Sequence, residues 1–464
     1  MSELASRRHD WLGAHPKGLA YLAFTEIWER FSYYGMTALL ALYIVKHLLL
    51  PDHAGQVLGL AQLRHLFELR GPMSDQAFAS LIYGWYGGLV YFTPILGGLI
   101  ADRWLGAKRT IIVGATLMSA GHLAMAFDAS FLIALLMLIV GSGCLKGNIA
   151  TQVGSLYPAA AQSLRERGFT IFAIGINIGS VIGPLVTGSV AALYGWHTGF
   201  ALAAGLMMIA LAIYLAGQKH IPEAAPKRRD RAALPPLTVE EKRKSWALVG
   251  LIALTIPPNI AFPMIWNIGI VWIDQRVDLR SPLGLCPASW FYALDSFASI
   301  AVAPLLVALW GWQARRGSEP DSFQKIGIGA AIVGFSALLL AAGCVNMAGD
   351  GRVQVIWALL GFAGMGVAVM WYWPILLALI AQVAPPRVKS TLMGGAFLSL
   401  FIGLTTMGWV GTFYDQLSNA AFWTIDAAIA FGGAVLVFLA RDPLRAILEP
   451  SRPGGRAQAV IAVR

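Results

Sequence analysis

Five residues near the start of the chain carry most of the chemistry this sequence offers. They are Glu26, Glu29, Arg30, Tyr33 and Tyr34, in TEIWERFSYYGM (25–36). Their spacing puts all five on one face of an α-helix. Two carboxylates beside one guanidinium leave an acid uncompensated, and such an acid holds or releases a proton readily. The plainer reading is a buried ion-pair network that only pins helices together. Lys146, in GSGCLKGNIA (141–150), is the other deep base. Its ammonium can pair with Glu26 or Glu29, or with the anion of a substrate. Tyr83, Tyr86 and Tyr91 share a second helical face, where they line a polar cavity or simply pack. Asn177 sits in the Gly-rich FAIGINIGS, as a cavity residue or as interhelical glue. Asp295 is a further acid in an apolar stretch. Asp426 is expected near the outer end of the last apolar stretch, where it reaches water.

The elements that hold these residues follow from composition. The 464 residues are 57% hydrophobic and 12% charged, with a mean hydropathy of +0.66. A soluble domain carries about 25% charged residues. A soluble enzyme, a nucleic-acid-binding protein and a disordered chain are therefore excluded, and the lipid bilayer is the solvent that fits. Apolar stretches long enough to cross a bilayer fall at 18–46, 79–102, 109–127, 130–150, 168–192 and 198–218, then at 246–272, 287–314, 325–346, 353–381, 390–413 and 420–440. The pattern predicts an all-α integral membrane protein of 12 transmembrane helices in two six-helix halves. The domain plan is an N-terminal half over 1–218, a charged Pro-rich cytoplasmic linker over 219–245, a C-terminal half over 246–440 and a cytoplasmic tail over 441–464.

Charge sets the orientation. Most of the 34 Lys and Arg fall in the tails, the linker and alternate connections. The opposite side holds only Lys46, Arg64, Arg70, Arg276, Arg280 and Arg352. By the positive-inside rule both termini are cytoplasmic. That implies a multi-pass protein of a cell membrane, the inner membrane if the source is bacterial. The polar N-terminus has no secretory-signal pattern. Cys144, Cys286 and Cys344 form no disulfide framework or zinc spacing. The histidines fall mostly in loops and tails, and no metal, catalytic-triad or phosphate-cradling motif is visible in the linear sequence.

The same residues carry a resemblance. The motif ExxERFSYYGM resembles the proton-dependent oligopeptide transporter family of the major facilitator superfamily. The resemblance continues through YGWYGGLVYFTPILGGLIADRWLGAKRT (83–110), LKGN (145–148), FxxFAIGINIGSVIGPL (169–185) and PASWFYALDSFASIAVAPLLVALW (287–310). It implies the major facilitator fold and proton-coupled symport of di- and tripeptides by alternating access. It further implies that Glu26, Glu29, Arg30 and Lys146 serve proton coupling and bind the peptide carboxylate. Tyr34, Tyr91 and Asn177 would line the peptide site. The coupling ion is the proton, and no other cofactor is implied.

Three departures stand out. The seventh stretch, 246–272, has no Asp or Glu where family members carry an acid; its deep polar side chains are Asn259 and Asn267. The tenth has Val369 or a neighbour where the family has a Glu for the peptide amino group. In the eighth, Asp295 replaces a more usual Asn. The anion-binding half of the site is thus present while its cation-binding half lacks its main carboxylate. Asp295 from another helix, or a cation–π contact with the cluster Trp371, Tyr372 and Trp373, would compensate, or the substrate lacks a free amino group; lipid-facing or packing roles are the others open to those aromatics. The expected activity is import of small peptides or peptide-like acids. The alternatives are import or export of modified peptides, amino-acid derivatives or drugs, and a non-transporting sensor or scaffold on the same fold.

Overall fold

Backbone amides in hydrocarbon have no water to bond, so apolar stretches close their hydrogen bonds internally as helices. The computed structural model describes residues 15–158, 161–222, 235–281, 284–347, 349 and 351–448. Its first half contains Lys17–Tyr43, Asp75–Ile100, Gly106–Ala124, Phe131–Ser155, Gln162–Tyr194 and Trp196–Gly217. Its second half contains an interrupted element from Val239 to Arg276, then Leu294–Arg315, Ser322–Val345, Val355–Val383, Lys389–Val410 and Asn419–Leu448. These are called the first to twelfth spans below. Among the described residues, nine are long and apolar enough to cross a membrane. The first three spans are less apolar, and the first two of them carry the acids, the arginine and the tyrosines named above. The whole is consistent with the six-plus-six expectation.

The seventh span departs most from its expected form. It begins at Val239, within the stretch expected to be linker, because Thr238 and Glu241 form a reciprocal cap on its first turn. It then breaks. The α-helix Val239–Leu254 is followed by Ile256–Ala261, a tighter turn over Phe262–Trp266, and a last helix, Ile268–Arg276. Pro257, Pro258 and Pro263 lack the N–H groups that a continuous ladder needs. Asn267 sits at the final break with φ −99° and ψ −90°. Residues 1–14 and 223–234 and the tail beyond 448 lie outside the described residues. The twelfth span runs on to Leu448, past its expected end at 440.

Small residues seat the first span. Gly175, Gly179 and Gly183 of the fifth span face it, and a Cβ at Gly179 would stand 2.5 Å from Cβ of Arg30. No larger residue permits this approach, so the glycine row fixes where the charged face of the first span points.

The two halves meet chiefly on the side away from the described chain ends. There Lys46 Nζ lies 2.8 Å from Asp274 Oδ2. Ser74 bonds Asp415 across the same interface. Ser80 Oγ donates to the Gly408 carbonyl at 2.9 Å and accepts from Asn267 Nδ2 at 2.7 Å. Trp290 Nε1 donates to the Leu185 carbonyl at 3.0 Å. Gly84 and Gly408 touch backbone to backbone. The molecule is closed on that face.

Candidate transport site

The first span brings its charged face to the centre of the first half. Glu26 is 1% exposed, Glu29 0% and Arg30 8%. Arg30 Nε donates to Glu26 Oε1 at 2.7 Å and lies 2.9 Å from Glu29 Oε2. One nitrogen thus serves both acids. Glu26 Oε2 and both oxygens of Glu29 have no hydrogen-bond partner among the described residues, so Arg30 holds Glu29 as an ion pair only. No described hydrogen bond uses the two terminal nitrogens of the guanidinium, which leaves its outer edge open to a second anion.

Lys146 forms no ion pair with either glutamate among the described residues. Its Nζ stands 4.0 Å from the centre of the Tyr33 ring and 5.4 Å from that of Tyr91. The attraction of a cation to an aromatic face is about 0.5–2 kcal/mol, less than a buried carboxylate would supply. Lys146 is held in the fourth span, whose place is fixed by Thr93 Oγ1 bonding the Ile139 carbonyl at 2.9 Å and by Asn148 Nδ2 reaching the Gly97 carbonyl at 3.3 Å. The sequence left three partners open for Lys146. The geometry gives it none of the carboxylates and leaves it available to an incoming anion.

The tyrosines gather as their spacing suggested. Tyr33, Tyr34, Thr37, Tyr83, Tyr86 and Tyr91 share a small cavity with Trp266, Tyr292 and Leu404 of the second half. Its volume is about 20 Å³, room for a water molecule. Tyr83 Oη lies 3.4 Å from Tyr292 Oη, and Trp266 stacks on Tyr292 with centroids 5.7 Å apart. Asp295 is one turn beyond Tyr292, is 4% exposed, and has Oδ1 without a partner. Its backbone lies directly against Gly366 of the tenth span.

A model described as the POT family matches residues 108–233 and 236–426. The chain belongs to the POT family. It is a membrane transporter of that proton-coupled class and not an enzyme. It is 29% identical to a di-/tripeptide transporter of Lactococcus lactis subsp. cremoris, over 94% of this chain and 97% of that one. It is similar to a mutant peptide transporter POT solved in complex with alafosfalin, at 25% identity and TM-score 0.81, covering 94% of this chain and 96% of the other. A POT family transporter solved with 5-aminolevulinic acid has the same fold, at 21% identity and TM-score 0.80, covering 93% and 97%. The expected major facilitator fold holds.

In this transporter the remaining candidates spread out. Asn177 is exposed on the fifth span, on the helical face that farther along packs against the second half. Trp371 packs edge-on against Trp310, and Trp373 against Phe397. Both tryptophans therefore make interhelical packing contacts, and no described contact joins either to Arg30, Lys146 or the tyrosines. Asp426 corrects an expectation. It is 0% exposed, and neither carboxylate oxygen has a partner among the described residues. It does not reach water because Phe422 and Trp423, one turn earlier, lie over that end of the span, with Trp272 packed edge-on against Trp423.

Asn259 and Tyr372 stand out in the sequence only as a deep polar side chain and as part of an aromatic cluster, and the sequence does not link them to each other or to Ser399. Tyr372 Oη donates to Asn259 Oδ1 at 3.2 Å, and Asn259 Nδ2 donates to Ser399 Oγ at 3.1 Å, which ties the seventh, tenth and eleventh spans together. Tyr292 and Trp266 complete the aromatic cavity. Their signal was present as aromatics flanking Asp295 and the prolines of the seventh span, but nothing in one sequence tells a lining aromatic from a packing one.

Proposed function

We propose that the protein imports small peptides or peptide-like acids together with protons, across a cell membrane in which both chain ends are cytoplasmic. The closed face is then the outer one. The observation that carries this reading is that one guanidinium nitrogen serves both Glu26 and Glu29 while Lys146 stands unpaired on Tyr33. With both acids charged, Arg30 is occupied by them. A proton taken up on this pair frees Arg30, and Arg30 and Lys146 together receive a substrate carboxylate. Proton and substrate are linked through one shared cation, and that link is a coupling free energy between two ligands. The halves 1–218 and 246–440 then rock about the site, joined by the linker 219–245. The coupling ion is the proton, with no further cofactor.

Tyr34, Tyr91 and Asn177 line the substrate path in this reading, and Asp295 receives the substrate's amino group. Its buried, unpartnered Oδ1 supports that role. Trp371 and Trp373 act through packing. The test uses purified protein in liposomes with an acidic exterior and a negative interior. Accumulation of labelled dialanine, abolished by a protonophore, is the expected result. Absence of accumulation by folded protein overturns the reading.

A second cargo, peptides with a blocked amino group, is favoured by one observation. The tenth span, Val355–Val383, contains no acid, and Gly366 packs on Asp295 where a longer side chain would meet it. Equal competition by free and N-acylated dipeptides would favour that cargo; preference for the free amine supports the first.

A further inference from the structure

Three stretches that are far apart in sequence bring three imidazoles and a carboxylate together at the outer end of the first half. His47 lies in the turn Ile44–Leu48 that follows the first span, and His53 lies on the short helix Pro51–Ala54. Asp128 opens the turn before the fourth span, and His197 begins the sixth. His53 Nδ1 lies 2.8 Å from Asp128 Oδ2, His47 Nε2 lies 3.3 Å from the same oxygen, and His197 Nε2 lies 3.4 Å from Asp128 Oδ1. The ligating atoms of His47, His53 and Asp128 all fall within 4.8 Å of one another. The His47 and His53 rings are 3.9 Å apart.

Hydrogen bonding accounts for only part of this arrangement, the contacts of His53 and Tyr43 with Asp128. His47 Nε2 is buried without a hydrogen-bond partner although it faces the carboxylate, and His197 Nδ1 is buried without one too. A metal ion among these atoms would account for the rest. With Zn–N near 2.0–2.1 Å, tetrahedral ligand atoms sit roughly 3.3 Å apart. Against Oδ2 of Asp128 the His47 separation already has that length and the His53 contact has only to open by about half an ångström, while His197 stands on the other oxygen, Oδ1.

We propose that His47, His53 and Asp128 form a zinc site, with His197 beside the second oxygen of Asp128 as the further ligand within reach. Nitrogen-rich ligation with one carboxylate suits Zn²⁺ and disfavours Ca²⁺ and Mg²⁺, which take oxygen ligands. Tyr43 is the supporting residue. Its Oη donates to Asp128 Oδ1 at 2.5 Å, and its ring packs on both His47 and His197. Such outer contacts orient ligands toward a metal. The His53 and His197 side chains are 32% and 41% exposed, which gives the ion an entry path. The site lies apart from the transport centre and does not depend on the cargo assigned there. It adjoins Lys46, whose bond to Asp274 joins the halves on this face.

The test uses tag-free, full-length protein in nanodiscs, stripped with a chelator and titrated with Zn²⁺ against a chromophoric indicator, with thermal unfolding in parallel. The expected result is one Zn²⁺ per chain and a raised unfolding midpoint. His53→Ala and Asp128→Asn should each weaken binding at least about tenfold, while His65→Ala leaves it unchanged. The partly exposed His53 and His197 allow a folded double variant. Stoichiometric binding that survives in His53→Ala/His197→Ala overturns the assignment, as does absence of binding to the folded wild type. An equal midpoint shift with Ca²⁺ overturns it as well.

Discussion

The first half surrounds its buried acids with cations, and the second half leaves its own alone. Glu26 and Glu29 converge on Arg30 at 2.7 and 2.9 Å, with Lys146 on the neighbouring Tyr33. Asp295 and Asp426 are equally buried, yet no described cation forms an ion pair with either. Burying an uncompensated charge is costly, so a lone carboxylate in such a place carries a proton or meets a cation from outside. The contrast divides the labour. In the proposed mechanism, exchange between partners takes place in the first half, and in the second half Asp295 is the acid that awaits the substrate's cation. Asp426, fully buried on the same helix as Phe422 and Trp423, reads as a packing group.

The sharpest way to break this contrast is Glu29→Gln. It removes one claimant on Arg30 and the proton that the pair exchanges. Proton-driven accumulation should fall to the level of protein-free liposomes, while counterflow exchange of labelled dialanine stays measurable. A variant that still concentrates substrate against a gradient would remove Glu29 from the coupling role.

Asp295→Asn comes next in size. A hydrogen bond to a charged group contributes about 1.5–3 kcal/mol. If Asp295 holds the amino group, KM for dialanine should rise about 10- to 150-fold, since each 1.4 kcal/mol is roughly tenfold. KM for N-acetyl-dialanine should not move. Equal loss for both substrates would assign Asp295 a structural role. Asp426→Leu tests the other lone acid. A buried polar group without a partner is well replaced by an apolar one, so the unfolding midpoint should hold or rise. A drop equivalent to more than about 1 kcal/mol would mean that the carboxyl has a bonding role.

The residues explain how much of this was legible. Glu26, Glu29 and Arg30 are neighbours on one helix, so a spacing rule was enough to bring them together. The apolar stretches were legible for the same reason, since bilayer thickness sets their length. Contacts between distant segments were not. The His47–His53–Asp128–His197 cluster spans four elements, and no linear spacing encodes it. Asp426 looked water-facing because depth was judged from distance to the helix end, whereas aromatic packing from Trp272 decides it. Trp371 and Trp373 flank Tyr372, and the choice of which of the three turns inward was made by Asn259 on the seventh span. The break at Asn267 was foreshadowed by its prolines, but its place depends on Ser80 across the interface.

The smallest test concerns an acid of the second half that does have partners. Asp321 lies just outside the ninth span, on the chain-end side. Its carboxylate caps that helix by accepting from the Gln324 amide at 2.9 Å, and it accepts from Arg441 Nη2 at 2.7 Å. Burial opposes its ionisation, but the bonds from Arg441 and Gln324 outweigh it and hold the carboxyl below its ordinary range. A depressed value means that the charged form stabilises the fold. That contribution is complete above the ordinary aspartate pKa of about 3.9 and is lost as pH falls through the lowered value. Asp321→Asn keeps part of the cap and loses the charge, so it should cost about 1 kcal/mol at neutral pH. The gap in unfolding midpoint between the two proteins should stay level from pH 7 to about 5 and close at lower pH. A gap that persists unchanged in acid would mean that shape, not charge, holds this corner. The contrast between paired and lone acids would then rest on the transport centre alone.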